Sequence, residues 1–398
     1  MQPATPLRSD KGQVSRRQAA DSRLRVLQIG KFYAPLRGGM ETHLKALCDG
    51  LSQHVDLEVM VANQERSTVL DSVDGVRVTR LAQWSTVAGA SICPSMVGRI
   101  RHSRADIVHI HWPNPTALLA YLASGHKGRL LLTYHADTVR QRVLGPLFEP
   151  VLQFALHRAE AIIVSSVMIV RGSPTLADLA DRCVAIPFGV RLSDYDDYDP
   201  AEVEAIRARF GRRLLLAVGR LVYYKGFEYL IRALADVDAT LLIVGEGPLR
   251  AALERTAEAA NVASRVHFLG RVENVVNYYR ACDLFVLPST ERAEAFGLVQ
   301  LEAMACGKPV INTWLPSGVP FVSLDDVTGL TVAPKSSAAL ADGIAQLLLD
   351  DDRRHRYGLA ARRRVEEEFT YDVMIARTMD AYLAPFGAPA AGLRRTAS

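Results

Sequence analysis

The chain is short of cysteine, short of aromatic residues and free of long apolar runs, and each shortage removes a class of protein. Its five cysteines, Cys48, Cys93, Cys183, Cys282 and Cys306, are scattered, odd in number and without C-x-x-C spacing. That pattern suits a reducing compartment and provides neither a disulfide framework nor a thiolate metal site. The longest apolar stretches, such as residues 161–170, are too short to cross a bilayer. Residues 1–23 are polar, with no apolar segment of the kind that directs secretion, and read as a disordered tail. The net charge of +4 is mild, aromatics are only 7%, and no basic stripe is interleaved with them, which argues against nucleic acid as a partner. Anionic phosphates or an anionic membrane surface remain compatible. The expected location is cytoplasmic, on the inner face of the cytoplasmic membrane if peripheral.

What is present is an α/β pattern repeated twice. With 398 residues, 49% of them hydrophobic, the chain is long enough for two domains with full cores. Apolar, β-branched runs at 24–29, 57–62, 76–81, 107–110, 130–134, 161–164 and 184–186 predict strands in the first half. Runs at 214–218, 240–244, 266–269, 284–287 and 310–312 do so in the second. Helical spacing at 40–52, 226–235, 249–260, 298–305 and 338–349 alternates with them. Strands apolar on both faces predict parallel sheets covered by helices, wound twice. The acidic stretch 193–200 marks the junction. The expected domains are 24–195 and 196–370, with a helix at 371–386 crossing back to the first and a frayed tail at 387–398.

The segment 289–310 carries the strongest chemical signal. A strand ends just before it, Glu294 lies in the following loop, and a helix starts near Leu298. Loops at the carboxyl ends of parallel strands are where ligands bind in such sheets. The backbone N–H groups around Phe296, Gly297, Leu298 and Val299 would open the helix toward a phosphate. Glu294 before it could hold sugar hydroxyls, and Glu302, with seven residues intervening, could hold a ribose. Taken singly, the two acids are equally consistent with a macrodipole partner and a solvent-facing side chain.

Three further loops follow strands in the same way. Gly219-Arg220-Leu-Val-Tyr-Tyr-Lys225-Gly226 brings two cations to a strand end, where they could neutralise a diphosphate leaving group or merely be solvated. Gly38 and Gly39 precede a helix and would let backbone approach a phosphate; a plain strand-to-helix turn fits equally. This element is neither a Walker A loop nor G-x-G-x-x-G. Glu41 and His43 sit on the first turns of that helix, where capping or packing suffices. His135, in Thr133-Tyr-His135-Ala-Asp137, follows a buried strand, where a lone histidine more often packs than reacts. Asp137 could touch an acceptor or cap a helix. His109 and His111 suggest a metal only weakly, with no third ligand in the pattern. Val244-Gly-Glu246-Gly247-Pro248 reads as a turn placing proline in the first positions of a helix. Asp350 to Asp352 reads as a solvated turn.

The segment Glu294-Ala-Phe-Gly-Leu-Val-Gln-Leu-Glu302-Ala-Met-Ala-Cys-Gly-Lys-Pro-Val resembles the E-x7-E signature of family 4 glycosyltransferases, retaining enzymes of the GT-B fold. The resemblance extends over residues 24–384. It implies two Rossmann-like domains facing each other across a cleft, with the nucleotide on the second and the acceptor on the first. It implies that Glu294 contacts the donor sugar and Glu302 the ribose. By the same resemblance Arg220 and Lys225 grip the phosphates, Gly38 and Gly39 meet a donor phosphate, and His135 contacts the transferred sugar near its reacting carbon. Pro316-Ser-Gly-Val-Pro320 departs from the family's frequent G-G-x-P-E turn and carries no Glu there.

The expected reaction is transfer of a hexosyl group from a nucleotide-diphosphate sugar to a glycan or polyprenyl-linked acceptor, with retention. Bacterial surface-polysaccharide transferases, which the chain resembles, commonly use GDP-mannose or GDP-rhamnose. A front-face route is expected, because Glu294 has no acidic partner in its motif for the double displacement of retaining glycosidases. No bound cofactor and no metal are expected, since no D-x-D follows a strand. An epimerase of the same fold, or a non-catalytic nucleotide-sugar-binding subunit, are the competing readings. Arg99, Arg101, Arg104, Lys127, Arg129, Arg140 and Arg142 are either a basic face for an anionic membrane surface or ordinary solvated charges.

Overall fold

A computed structural model of the protein describes residues 23–36, 38–135 and 144–384. Asp137, Arg140, Arg142, residues 1–22 of the first expected tail and all of the second lie outside the described residues. In the first half, β1 (Arg25–Ile29), β2 (Asp56–Ala62), β3 (Val69–Val73) and β4 (Val76–Leu81) precede a small antiparallel hairpin of β5 (Ser85–Val87) and β6 (Ala90–Ile92). Then come β7 (Ile107–Trp112), β8 (Arg129–Tyr134), β9 (Ala161–Val164) and β10 (Cys183–Ala185). Apart from the hairpin these form one sheet in the order β10-β9-β8-β7-β1-β2-β4-β3, parallel except for the edge pair β3/β4. The second half builds an all-parallel sheet, β13-β12-β11-β14-β15-β16, from β11 (Leu214–Val218), β12 (Thr240–Val244), β13 (Val266–Gly270), β14 (Leu284–Leu287), β15 (Val310–Thr313) and β16 (Gly329–Val332).

Each sheet is apolar on both faces, so each supports two cores. In the first, Leu27, Ile29, Ile110 and Leu132 face one layer of helices, while Val26, Val59, Val61 and Leu131 face the other. In the second, Leu216 and Phe285 face one layer, and Leu215 and Val286 the other. The sequence order reverses between β1 and β7 in one sheet and between β11 and β14 in the other. Such switch points leave a crevice at the strands' carboxyl ends. The loops that begin after β1, β11 and β14 are those carrying Gly38, Arg220 with Lys225, and Glu294.

The chain passes between the two sheets twice, and the two passages are bonded to each other. The Val190 N–H donates to the Phe369 carbonyl and the Tyr371 N–H to the Val190 carbonyl, each at 2.9 Å. Gly189 fits this contact because a Cβ there would lie 2.4 Å from the Thr370 carbonyl oxygen. After the second passage, the helix Tyr371–Leu383 packs on the helix Gly39–Leu51. Met374, Ile375 and Tyr382 enter the same core as Leu44, Leu47 and Leu51.

Several local expectations are corrected. The helix expected over 226–235 spans Phe227–Ala233, because Gly226 adopts a left-handed conformation (φ 64°) that ends the preceding turn. Pro248 lies in the turn before the helix Arg250–Ala259, outside its first positions. The strand expected to stop at residue 110 continues to Trp112, which adds His111 to the sheet beside His109. Asp350 caps the helix Asp351–Glu368 by accepting from the Arg353 N–H at 2.8 Å. Among the described residues, no helix is long and apolar enough to cross a membrane.

Candidate active site

On the second domain, two loops are stitched into one surface. The Thr290 N–H donates to the Tyr224 carbonyl at 2.8 Å. A Cβ on Gly226 would stand 2.1 Å from the Pro288 carbonyl oxygen, so only glycine lets the loops approach this closely. The result brings together two expected site residues: Lys225 Nζ lies 2.6 Å from Glu294 Oε2. Both are buried, and Ser289 Oγ donates to the same carboxylate oxygen at 2.9 Å. Arg220 is exposed on the same loop.

Gly297 takes a left-handed conformation (φ 74°) and caps the helix Leu298–Ala305. A Cβ there would press within 2.7 Å of Leu287 and 2.8 Å of Gln300. The N–H groups of Leu298 and Val299 have no partner within the helix, directly after the Glu294 loop, while the Gln300 N–H donates to the Gly297 carbonyl at 2.8 Å. Phe296 is buried under it against Phe188 and Phe369. Glu302 lies further along and accepts from the Tyr279 hydroxyl at 2.7 Å. Burial pushes its carboxyl upward, opposed by that hydrogen bond and by Lys225. The Gly318 N–H donates to the Ala295 carbonyl at 2.7 Å, so the Pro-Ser-Gly-Val-Pro turn braces the motif loop through its backbone.

On the first domain, Gly38 caps the helix Gly39–Leu51, and the Glu41 carboxylate folds toward it. A Cβ on Gly39 would meet nothing within 4 Å, so the protein's own packing makes no demand for glycine there. His135 is buried at the end of β8, and its Nε2 lies 3.1 Å from His111 Nδ1. His43 packs at 5.4 Å from His135 and 4.3 Å from Phe188, ring centre to ring centre. Phe188 in turn stands 4.8 Å from Phe296. A row of rings thus joins His135 on one domain to the Glu294 motif on the other. A cleft between the domains is lined by His135, Gly172, Ser173, Ala295, Pro316 and Ser317.

Burial holds these histidines neutral. His135 is pushed down to about 4 and His109 to about 3; His43 and His111 also lie well below their ordinary value. Nitrogens of His43, His111 and His135 come within 4.8 Å of one another, a donor set that suits a divalent transition metal. The nearest two nitrogens, however, are engaged with each other. His43, Phe188, Gln28 and Tyr382 are members of this region that were not placed by their sequence motifs. One signal did exist: His109 and His111 are two apart on a strand and so share a face, as do Thr133 and His135.

The basic face is only partly free. Arg101 donates to the Ser124 and Ala123 carbonyls at the end of the helix Pro115–Ser124. Arg129 pairs with Glu160 and holds the carbonyls of Tyr382 and Ala384. Arg99, Arg104 and Lys127 are exposed.

The glycosyl transferase 4-like domain matches residues 38–189, and the glycosyl transferases group 1 family matches residues 201–364. An O-antigen chain mannosyltransferase C of Escherichia coli is 31% identical over 366 residues, covering 90% of this chain and 97% of the relative. A GDP-mannose-dependent monoacylated alpha-(1-6)-phosphatidylinositol monomannoside mannosyltransferase of Corynebacterium glutamicum is 35% identical over 370 residues, covering 88% and 95%. Among solved structures, a sucrose-phosphate synthase from Thermosynechococcus elongatus superposes with a TM-score of 0.75 at 24% identity, over 90% of this chain and 98% of that one. Two doubly wound domains meeting at their strand ends, with a full-length match to these relatives, make the chain a GT-B enzyme that belongs to the group 1 glycosyltransferases, a hexosyltransferase.

Proposed function

We propose that the enzyme transfers a mannosyl-type hexose, with retention, from a GDP-sugar to a glycan or lipid-linked acceptor in the synthesis of a cell-surface polysaccharide or glycolipid. The observation that carries the reading is the buried Lys225–Glu294 pair beside the opening of the helix Leu298–Ala305. The names of the relatives from Escherichia coli and Corynebacterium glutamicum support mannose and, for the second, GDP.

The pair gives the mechanism its first step. Without donor, Lys225 neutralises Glu294. A bound diphosphate competes for the ammonium, and the released carboxylate then accepts from hydroxyls of the donor sugar. Arg220, Lys225 and the N–H groups of Leu298 and Val299 stabilise the charge that grows on the diphosphate as the glycosidic bond breaks. Glu302 accepts from the ribose. The backbone at Gly38 and Gly39 meets the phosphates from the other domain. His135, neutral and buried, borders the sugar. The acceptor enters on the face the diphosphate leaves, and its proton passes to the departing phosphate oxygen. Closure of the cleft keeps water from taking the acceptor's place. No metal or bound cofactor is required by this route.

The test is thermal unfolding in the presence of GDP-, UDP- and ADP-sugars, since a ligand that binds only the folded state raises the midpoint. GDP-mannose is expected to give the largest rise, and failure of every nucleotide sugar to shift the melt removes the proposal. Glu294→Ala is expected to lower turnover far more than affinity for GDP, whereas Glu302→Ala chiefly weakens GDP binding. The opposite pattern would exchange their roles.

A further inference from the structure

Behind His135 a chain of buried polar groups runs through the first sheet to the helix Tyr371–Leu383. Gln28 on β1 uses both ends of its amide: Nε2 donates to the Tyr382 hydroxyl at 2.7 Å, and Oε1 faces His111 Nε2 at 3.0 Å. Because Oε1 only accepts, His111 must carry its proton on Nε2. His111 Nδ1 is then an acceptor, and its partner at 3.1 Å, His135 Nε2, must be the donor. A side branch completes the pattern. The Tyr382 hydroxyl, already accepting from Gln28, donates to His109 Nδ1 at 2.7 Å, which leaves His109 Nε2–H to donate to Thr133 Oγ1 at 2.7 Å. Gln28, His109, His111, Thr133 and His135 are all buried, and Tyr382 is fully so. Tyr382 is also held by its backbone, where its carbonyl accepts from Arg129 at 2.6 Å.

We propose that Gln28 and Tyr382 are positioning residues for the transfer reaction: through His111 they hold the His135 imidazole in one tautomer, with Nε2–H aimed at His111 and Nδ1 left as the acceptor. The role of His135 at the sugar rests on the proposed function; the tautomer itself does not. An imidazole presenting Nδ1 as an acceptor selects a hydroxyl that donates to it. A ring free to exchange tautomers would present a donor there for part of the time, and so would not reject a group that can only accept. The residue that fixes this choice lies on the helix Tyr371–Leu383, beyond the second domain in sequence.

The test needs no ligand. Long-range proton–nitrogen spectra of the protein labelled in its histidines report which imidazole nitrogen bears the proton. Assignment comes from single His111→Asn and His135→Asn variants. A single Nε2–H tautomer is expected for both rings in the wild type. In Tyr382→Phe the Gln28 amide loses the acceptor that orients it, and both rings should become tautomer mixtures. Gln28→Glu carries the same test if the phenylalanine variant is unfolded. A carboxylate beside His111 favours its charged form, so the imidazoles facing it should titrate at least about one pH unit higher. Among the described residues, the titratable groups facing His111 are His43, His109 and His135, and Tyr382 faces His109 in turn, so all four histidines are followed. Mixed tautomers in the wild type, or tautomers unchanged in Tyr382→Phe and titration unchanged in Gln28→Glu, overturn the proposal. With GDP-mannose as donor, Tyr382→Phe should lower kcat about tenfold with little change in KM, the signature of a misplaced reacting group. If the tautomers are fixed as expected but His135→Ala leaves GDP release unaltered, the failure belongs to the role given to His135 and not to the network.

Discussion

Removing the Lys225 ammonium leaves the Glu294 carboxylate buried beside Ser289 without a cation. Breaking a buried pair from one side costs about 3–5 kcal/mol, because the remaining charge is uncompensated. Lys225→Met should therefore lower the unfolding free energy measured in urea by that order, and with it the midpoint, and Lys225→Met combined with Glu294→Gln should recover part of it. Equal midpoints for wild type and the lysine variant would show that the pair is not close in solution. The histidines give a second residue-scale expectation. Each titrates below its ordinary value when folded, so the unfolded chain takes up protons first. Their contribution to stability is complete above about pH 6.5. It is lost as the pH falls from there toward about 4 for His135 and about 3 for His109. Calorimetry between pH 7 and pH 4 should show a falling melting temperature, with a shallower slope in His109→Gln. Parallel slopes would locate the acid sensitivity elsewhere. At this scale, Glu294 and Lys225 could be singled out as site residues from their motifs, because each follows a strand. Their contact could not, because it depends on how two loops from separate crossovers are stitched together. Gln28 and Tyr382 were equally hidden, since a lone polar residue in an apolar run looks the same whether or not it finds a partner.

At the scale of elements, the loop–loop junction at Gly226 is the most demanding backbone feature of the site. Its φ of 64° and the 2.1 Å approach of the Pro288 carbonyl both exclude a Cβ. Gly226→Ala should cost at least about 2 kcal/mol, through the left-handed conformation and the displaced loop. It should also weaken GDP binding, because Lys225 moves with the turn. A denaturant midpoint and a GDP titration check both, and a variant of native stability would show that the turn can open without cost. The strands that line the site were legible because they are buried on both faces and read as unbroken apolar runs. Those that were missed fail that criterion. Strand β3 is almost wholly exposed, β5 is fully exposed, and β16 has only four residues with one fully buried. Edge strands carry little hydrophobic signal, so composition cannot distinguish them from loops.

For the whole molecule, the helix Tyr371–Leu383 helps determine which residues make up the first core. Ending the chain at residue 370 would remove Met374, Ile375, Ala381 and Tyr382 from it. At roughly 1.5–3 kcal/mol for each large buried side chain, the loss approaches the entire stability of an ordinary domain. Such a chain should bind an apolar dye at the helix Gly39–Leu51 and lose the cooperative melt of its first domain. A native-like melt for both domains would show that the helix is dispensable. The fold class was readable at this scale because two rounds of strand–helix alternation leave few topologies. The return of the chain to its first domain is compressed into the short junction at Val190 and Thr370.

That return imposes an order on biogenesis. The ribosome releases β1 to β10 long before it makes Tyr382, and every residue of the second domain is synthesised in between. At about 5–20 residues per second the interval is roughly ten to forty seconds. Throughout it, the groove along the helix Gly39–Leu51 stands open and Gln28, His109 and His111 lack the tyrosine that completes their circuit. On the roles proposed for Glu294 and His135, a nascent chain would hold a nucleotide sugar before it is equipped to transfer from it, and alignment of His135 becomes a late step of synthesis.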